Sequence, residues 1–180
     1  MTSVGRGMAF RGLTWGLIAA GALFGTTPDA AAGGAAISAS GLPVPRYVSL
    51  KSDHVNVRAG PTKDNDVAWV YTRSGLPVEI TAEFENWRRV RDSEGSEGWV
   101  YHSLLSGRRT AVVTMKSKDD LASIYYSADA KSTVVARLQA GVIAQVKHCA
   151  DSWCRVIGNG FDGWIEQQRL WGVYADEKVD

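Results

Sequence analysis

Two cysteines, Cys149 and Cys154, are the residues of this sequence whose side chains are best suited to metal binding or nucleophilic chemistry. Four residues separate them, and His148 directly precedes the first. A structural zinc site needs about four ligands, but no second ligand pair accompanies these cysteines. A cysteine hydrolase needs a thiolate beside an imidazole, whereas adjacent residues on a strand point to opposite faces. The acidic residues lie on turns without a motif, so the sequence predicts no metal site, no cofactor and no enzymatic activity.

The same cysteines are well placed for a disulfide across a hairpin. Asp151 and Ser152 form a two-residue turn candidate, and with that turn Cys149 lies directly opposite Cys154. Opposed residues at a non-hydrogen-bonded site of an antiparallel pair have Cα atoms about 4.5 Å apart, which is within disulfide reach. The alternative is a pair of free thiols held for metal binding or redox chemistry.

Charged residues are balanced in number and interleaved along the chain. The sequence has 20 basic and 19 acidic residues, whereas nucleic-acid binders normally carry a basic excess. We therefore expect no nucleic-acid partner. On antiparallel strands the opposite charges would pair across the sheet and form a solvated, salt-bridged face. The residues concerned are Arg88, Arg89, Arg91, Arg108 and Arg109 with Glu79, Glu83, Glu85, Asp92, Glu94 and Glu97.

The sequence contains two copies of one small unit. Four tryptophans recur after 66 and 65 residues, with Trp87 and Trp99 in the first copy and Trp153 and Trp164 in the second. Each copy reads Trp-x-x-Val followed by Gly-Trp-Val or Gly-Trp-Ile. A period of this kind predicts two tandem units. A displacement of 66 from the cysteines reaches Glu83 and Arg88, which predicts an opposed charge pair where the second copy has its disulfide.

The N-terminal segment predicts export. Arg6 and Arg11 precede a short apolar run over 13–24, and alanines at 30–32 offer small residues for cleavage by signal peptidase. A transmembrane anchor is the alternative, but the run is shorter than the roughly 20 apolar residues that span a bilayer. We expect a signal peptide over 1–32, a flexible linker over 33–45, and a secreted, periplasmic or envelope-associated protein without a membrane span.

Short alternating segments bounded by turn residues predict an all-β fold. In the segment over 55–58, Val55 and Val57 fall on one face, and a single helical turn is expected over 103–105. The units extend over 46–109 and 110–174, and a polar tail follows over 175–180. Units of about 60 residues are marginally stable alone, so we expect the two to pack together.

The tryptophans are candidates for either core or surface. The four recurring ones are expected mainly in the core, because one tryptophan buries about 150–250 Å². Trp69 and Trp171 have no counterpart in the other copy, which favours a functional surface or the seam between units. Trp69 and Tyr71 share one face of a strand, and the sequence leaves open whether that face points outwards or into the core.

These segments resemble the bacterial SH3-like domains of exported proteins. In the first unit the resemblance rests on Val-Asn-Val-Arg-Ala-Gly-Pro over 55–61, Gly-Leu-Pro-Val-Glu-Ile over 75–80, Trp-Arg-Arg-Val over 87–90 and Gly-Trp-Val over 98–100. The second unit lacks the Asn, Arg and Gly-Pro and is similar only in its Trp-x-x-Val and Gly-Trp-Ile parts. The signature and core residues are Val55, Val57, Gly60, Pro61, Trp87, Gly98, Trp99, Trp153, Gly163 and Trp164.

The resemblance implies two half-open barrels of five or six strands, in an envelope setting where such domains often bind peptidoglycan or its stem peptides. The candidate ligand-binding residues are Arg58, Trp69, Tyr71 and Trp171. An Arg58 guanidinium would suit a carboxylate of a stem peptide. We favour the alternative for this side chain, an internal pair with Asp53, Asp92 or Glu94. The rival function is a structural protein that docks an envelope partner protein through its sheet faces, without contact with the cell wall.

Overall fold

The computed structural model describes residues 36–38, 40–115 and 120–180. The signal peptide expected over 1–32 lies outside the described residues. Within the described part the chain consists of short strands, turns and two 3-10 turns, so the all-β prediction is confirmed. None of the helices described is long and apolar enough to cross a membrane.

A short hairpin precedes the first barrel and consists of β1 (Ala36–Ile37) and β2 (Pro43–Val44). The strands of the first barrel are β3 (Arg46–Leu50), β4 (Val55–Arg58), β5 (Val67–Tyr71), β6 (Pro77–Phe84), β7 (Trp87–Arg91), β8 (Glu97–Tyr101) and β9 (Leu105–Ser106). A 3-10 turn over His102–Leu104 leads into the last of them and confirms the expected helical turn to within one residue.

The second barrel repeats this plan. Its strands are β10 (Thr110–Val113), β11 (Ala122–Tyr125), β12 (Val134–Leu138), β13 (Ile143–Ala150), β14 (Trp153–Gly158), β15 (Phe161–Glu166) and β16 (Leu170–Trp171), with a 3-10 turn over Gln167–Arg169. The strand order is β5-β4-β8-β7-β6-β3-β9 in one sheet and β12-β11-β15-β14-β13-β10-β16 in the other. Each strand of one barrel therefore has its counterpart at the same place in the other, and the predicted tandem repeat is confirmed.

Each barrel has its own apolar core, built by the alternation of residues along its strands. In β4, Val55 and Val57 are fully buried, and the matching β11 buries Ala122 and Ile124. Full burial of a side chain such as valine or isoleucine is worth about 1.5–3 kcal/mol. The inner faces of the two small sheets are thus the main source of stability.

The hairpin of β13 and β14 has the geometry expected for the cysteines. Asp151 and Ser152 both have positive φ, at 51° and 65°, as the central residues of a type I′ turn do. Cys149 pairs with Cys154 across the two strands, with Cα atoms 4.1 Å apart, and the two sulfurs are bonded. The predicted disulfide is confirmed, and both cysteines are fully buried in the second core.

The matching hairpin of β6 and β7 carries the expected charge pair. Glu83 pairs with Arg88 across the strands, and their side chains form an ion pair at 3.1 Å. Arg46 binds the same carboxylate oxygen at 2.6 Å. Other expected pairs are Arg89 with Glu97 and Arg91 with Glu79. The expectation that this face is solvated is wrong for Glu79 and Glu83, because both carboxylates are buried. At matching positions, the two strands of the hairpin are therefore linked by an ion pair in the first barrel and by a disulfide in the second.

Acidification should remove the stabilising contribution of Glu83. Burial alone would raise the pKa of this carboxyl, but hydrogen bonds from Ser38, Arg46 and Ser40 outweigh burial and lower the pKa from 4.5 to about 2. A carboxyl whose pKa is depressed in the folded chain stabilises the fold above its unfolded pKa and loses this effect as pH falls through the folded value. We expect the contribution to be complete near pH 7 and to disappear progressively between about pH 4.5 and 2.

Urea unfolding of the wild type and of Glu83→Gln at pH 7, 4 and 2.5 measures this contribution. The difference in the free energy of unfolding between the two proteins should shrink as pH falls. Glu85→Gln, at the exposed turn of the same hairpin, is the control and should unfold like the wild type. A difference between wild type and Glu83→Gln that stayed constant down to pH 2.5 would contradict the expectation.

The two barrels pack against each other through an aromatic and polar seam. The Tyr47 ring lies edge-on to Trp171 at 5.1 Å and tilted against Tyr174 at 4.6 Å. The Tyr174 hydroxyl donates to Oε1 of Glu79 at 2.9 Å, and Arg91 donates to the other oxygen of that buried carboxylate. Burial, followed by the nearby Glu79 charge, raises the pKa of Tyr47 to about 12. The expected packing of the two units is confirmed.

Two segments that the sequence predicts to be flexible or solvent-exposed are partly built into the fold. In the expected linker, Ser40 donates from its backbone and its hydroxyl to Glu83, and Val44 packs against the first core. In the expected polar tail, Val179 is buried and its backbone exchanges two hydrogen bonds with Cys149. Both segments find partners because hydroxyls and backbone groups can bond where side-chain pattern alone gives no signal.

Candidate ligand-binding site

The face of β5 that carries Trp69 and Tyr71 points into the barrel. Tyr71 is only 8% exposed, and its hydroxyl donates to Oδ2 of Asp92 at 3.0 Å. Burial, followed by the Asp92 charge, raises the pKa of this phenol. Trp69 is half-buried and packs edge-on to Tyr71 against the first core. Of the two registers left open by the sequence, the structure has the inward one, so these rings do not form an outward aromatic pair.

Arg58 holds a loop, but not through the partners that the sequence suggests. A bulge between Val57 and Arg58 shifts the pairing with β5. The guanidinium of Arg58 donates to the backbone carbonyl of Asn65 at 2.6 Å. The expected acidic partners, Asp53, Asp92 and Glu94, make no ion pair with it in the described part of the chain. The internal role is therefore present, with a carbonyl as the acceptor in place of a carboxylate.

Trp171 belongs to the seam between barrels. It pairs with Val112 across β16 and β10, and its ring packs edge-on to Tyr47 of the first barrel. Of the two roles that the sequence allows for this residue, functional surface or seam, the structure has the second.

The four recurring tryptophans differ in burial, which corrects the expectation that they lie together in the core. Trp87 is buried, at 8% exposure, and packs edge-on to Tyr101. Trp99 and Trp164 are half-buried on the outer faces of β8 and β15. Their neighbours Gly98 and Gly163 take the inward positions, where an added Cβ would collide with Val57 and with Ile124. Alternation along the strand then places each tryptophan outside.

Trp153, the fourth of them, lines an open pocket on the second barrel. The pocket has a volume of about 470 Å³, and its apolar walls are Trp153, Leu170, Val173 and Tyr174. The Trp153 ring is half-buried and lies edge-on to Tyr125, with centroids 5.6 Å apart. An open hollow with two aromatic walls suits a small ligand or a short segment of a polymer.

The polar lining of this pocket is acidic or neutral. It comprises Ser152, Glu166, Gln167, Gln168 and Asp176, with no lysine, arginine or histidine. The Glu166 carboxylate accepts from Gln168 at 3.2 Å and from Arg169, outside the pocket, at 3.4 Å. Gln167 is buried and is already occupied, because its amide donates to the carbonyls of Tyr174 and Glu177. Ser152 and Asp176 are thus available to a ligand, together with the remaining hydrogen-bonding capacity of Glu166 and Gln168.

The C-terminal wall of the pocket is fixed by several bonds. Arg109 donates to both carboxylate oxygens of Glu177, at 2.7 and 3.0 Å, and Glu177 accepts from the backbone of Tyr174. Burial acts to raise the pKa of Glu177, but these bonds outweigh it and the net shift is downwards. Burial and the hydrogen bond to Glu79 raise the pKa of Tyr174. A pocket held in this way loses little conformational entropy when a ligand binds.

The described residues do not assemble a group of metal ligands. No three histidine, cysteine or acidic residues among them are placed to hold a metal ion. Both cysteines are in the disulfide, so neither is a nucleophile in this state. That the protein is not an enzyme stays a prediction.

Two segments of the chain, residues 51–107 and 118–172, match the bacterial SH3 domain family. Among solved structures, NlpC2 from Trichomonas vaginalis is 17% identical with a TM-score of 0.33, and the match covers 76% of this chain and 51% of that one. NlpC1 from the same organism is 18% identical with a TM-score of 0.31, covering 76% and 48%. An NlpC/P60 family protein from Bacillus cereus ATCC 10987 is 13% identical with a TM-score of 0.28, covering 69% and 55%.

The chain thus spans about half the length of these solved proteins. No curated protein matches it significantly.

Proposed function

Because this chain belongs to the bacterial SH3 domain family, we propose that it is an exported cell-envelope protein that binds peptidoglycan or its stem peptides without covalent chemistry. The observation that carries the proposal is the pocket of the second barrel, with Trp153 and Tyr174 as walls and Glu166, Gln168 and Asp176 as polar anchors. Sugar rings and short peptides bind in hollows of this kind, where an aromatic face covers apolar atoms and a few polar groups fix the orientation.

An exported location agrees with the disulfide. Structural disulfides persist in oxidising compartments and are rare in the cytosol. The bond between Cys149 and Cys154 is buried in the second core, which is typical of a structural link. The apolar and small-residue pattern over 1–32 supplies the signal for export on this proposal.

A second candidate function is the docking of an envelope partner protein through a sheet face. It is favoured by the edge of the second barrel, where Tyr126, Val134 and Val135 are exposed, the first of them to 76%. Neighbouring apolar side chains at a sheet edge are a common feature of protein interfaces. The two candidates use different surfaces and can be separated by substitution.

Co-sedimentation with purified sacculi tests the proposed function. We expect the wild-type protein to pellet with the sacculi, and Trp153→Ala to weaken binding by about tenfold, since an aromatic contact is worth roughly 0.5–1.5 kcal/mol beyond its buried area. Circular dichroism during urea unfolding checks that the variant is folded.

Tyr126→Ala is the matched control, because this exposed ring lies outside the pocket. It should pellet like the wild type. If the protein failed to pellet with sacculi at any salt concentration, the proposed function would be wrong and partner docking would take its place.

A further inference from the structure

We infer that the pocket of the second barrel selects a cationic group, namely a primary ammonium on an alkyl chain such as a diamino acid presents in a peptidoglycan stem peptide. This inference rests on the proposed function and narrows it to one kind of ligand atom. It is drawn from the charges of the pocket, from its aromatic walls and from a contrast with the hollow in the first barrel.

The charges of the lining favour a cation. Glu166 and Asp176 contribute two carboxylates, and no basic side chain lines the pocket. The nearest described guanidinium partner is Arg169, whose Nε lies 3.4 Å from Glu166. That pair is longer and more exposed than the 2.7 Å pair of Arg109 with Glu177, so it is the weaker of the two ion pairs. Asp176 has no ion-pair partner within the described residues. An ammonium bound in the pocket would compensate this negative charge.

The walls suit the rest of such a group. An ammonium is attracted to the face of an aromatic ring, most strongly to tryptophan, by about 0.5–2 kcal/mol. Trp153 and Tyr174 offer two such rings, and Leu170 and Val173 offer contacts for the methylenes of an alkyl chain. The same pocket thus has a place for the charge and for the chain that carries it.

The first barrel has a hollow of opposite character. It has a volume of about 380 Å³ and is lined by Arg46, Arg88 and His102 together with apolar residues. Both guanidiniums pair with Glu83, which is not part of the lining. The acidic lining is therefore not a general consequence of the fold. It belongs to the second copy, where Glu166 stands in the strand position that Tyr101 holds in the first.

Titration with two forms of one peptide tests the inference. The probe is the tripeptide N-acetyl-L-Ala–γ-D-Glu–L-Lys, whose lysine amine is its one primary ammonium, and its partner is the same peptide with that amine acetylated. Tryptophan fluorescence of the purified protein reports binding. We expect the acetylated form to bind about tenfold more weakly, because it loses one ion pair and one cation–π contact. A tenfold change in the dissociation constant corresponds to about 1.4 kcal/mol of binding free energy. Glu166→Gln/Asp176→Asn should bind the two forms equally.

The control is Asp53→Asn/Glu94→Gln, which removes two exposed carboxylates from the first barrel and should keep the preference of the wild type. If the wild type binds both forms equally, or binds neither while still pelleting with sacculi, the inference is overturned and the proposed function stands. If the protein does not pellet with sacculi at all, the proposed function itself fails. A preference that survives in Glu166→Gln/Asp176→Asn also overturns the inference, because the selectivity then lies elsewhere.

Discussion

Gly172→Ala is expected to lower the free energy of unfolding by about 3 kcal/mol or more. Gly172 has a φ of +121°, a backbone conformation that side chains with a Cβ rarely adopt. A Cβ at this position would lie 2.5 Å from the carbonyl oxygen of Thr110 and 2.9 Å from Cα of Ala111. Both atoms are backbone atoms at the start of β10, so neither can move aside as the end of a flexible side chain could.

The chain offers a matched control for this substitution. Gly107 follows β9 as Gly172 follows β16, but a Cβ there would meet no atom within 4 Å. Gly107→Ala should therefore unfold within about 0.5 kcal/mol of the wild type. Urea denaturation followed by circular dichroism compares the three proteins. Equal stability of Gly172→Ala and Gly107→Ala would show that the close approach at Gly172 is not a constraint.

Those features of the fold that follow from local chemistry could be predicted from the sequence. The two-residue turn at Asp151 and Ser152 fixes which residues oppose each other, and that register alone brings Cys149 to Cys154. Because the two copies are 66 residues apart, the same register also predicts that Glu83 lies opposite Arg88 in the first barrel, as observed. A hairpin is determined by neighbouring residues, so its geometry can be derived without the rest of the barrel.

Burial of the repeated tryptophans was harder to predict. Trp99 and Trp164 recur because the sheet positions recur, and repetition says nothing about which face they occupy. The available signal was the residue beside each tryptophan. Gly98 and Val100 flank Trp99, and both face inwards, the glycine because Val57 leaves no space for a Cβ. Alternation along the strand then requires the tryptophan to face outwards.

The pocket could not be predicted, because separate segments build it. Ser152 comes from a hairpin turn, Trp153 from the start of β14, Glu166 from the end of β15 and Asp176 from the C-terminal segment. That segment was expected to be a polar tail. Its position depends on tertiary contacts, such as Arg109 with Glu177 and Val179 with Cys149. Contacts of this kind join residues up to about 70 apart and have no local sequence pattern.

Loss of the disulfide should destabilise the second barrel. The chain-entropy estimate for a loop this short is about 2 kcal/mol. The backbone of Cys149 bonds to Val179 rather than to Cys154, so the cysteines form a non-hydrogen-bonded pair. The sulfur bridge is therefore a direct link between β13 and β14 at this position, and β13 in turn holds the C-terminal segment. Reduction should loosen both the hairpin and the wall of the pocket that carries Tyr174 and Asp176.

We expect Cys149→Ala/Cys154→Ala to lose about 2–3 kcal/mol of stability, from the lost cross-link and from two smaller side chains in the core. The wild type treated with a reductant should lose the cross-link contribution alone. Hydrogen exchange should then be faster at the amide of Val179, which bonds to Cys149, while the amide of Val57 in the first barrel keeps its rate. Thiol titration under denaturant, on protein taken from the native envelope fraction, checks the premise. Two titratable thiols there would refute both the disulfide in the native protein and the oxidising location proposed for it.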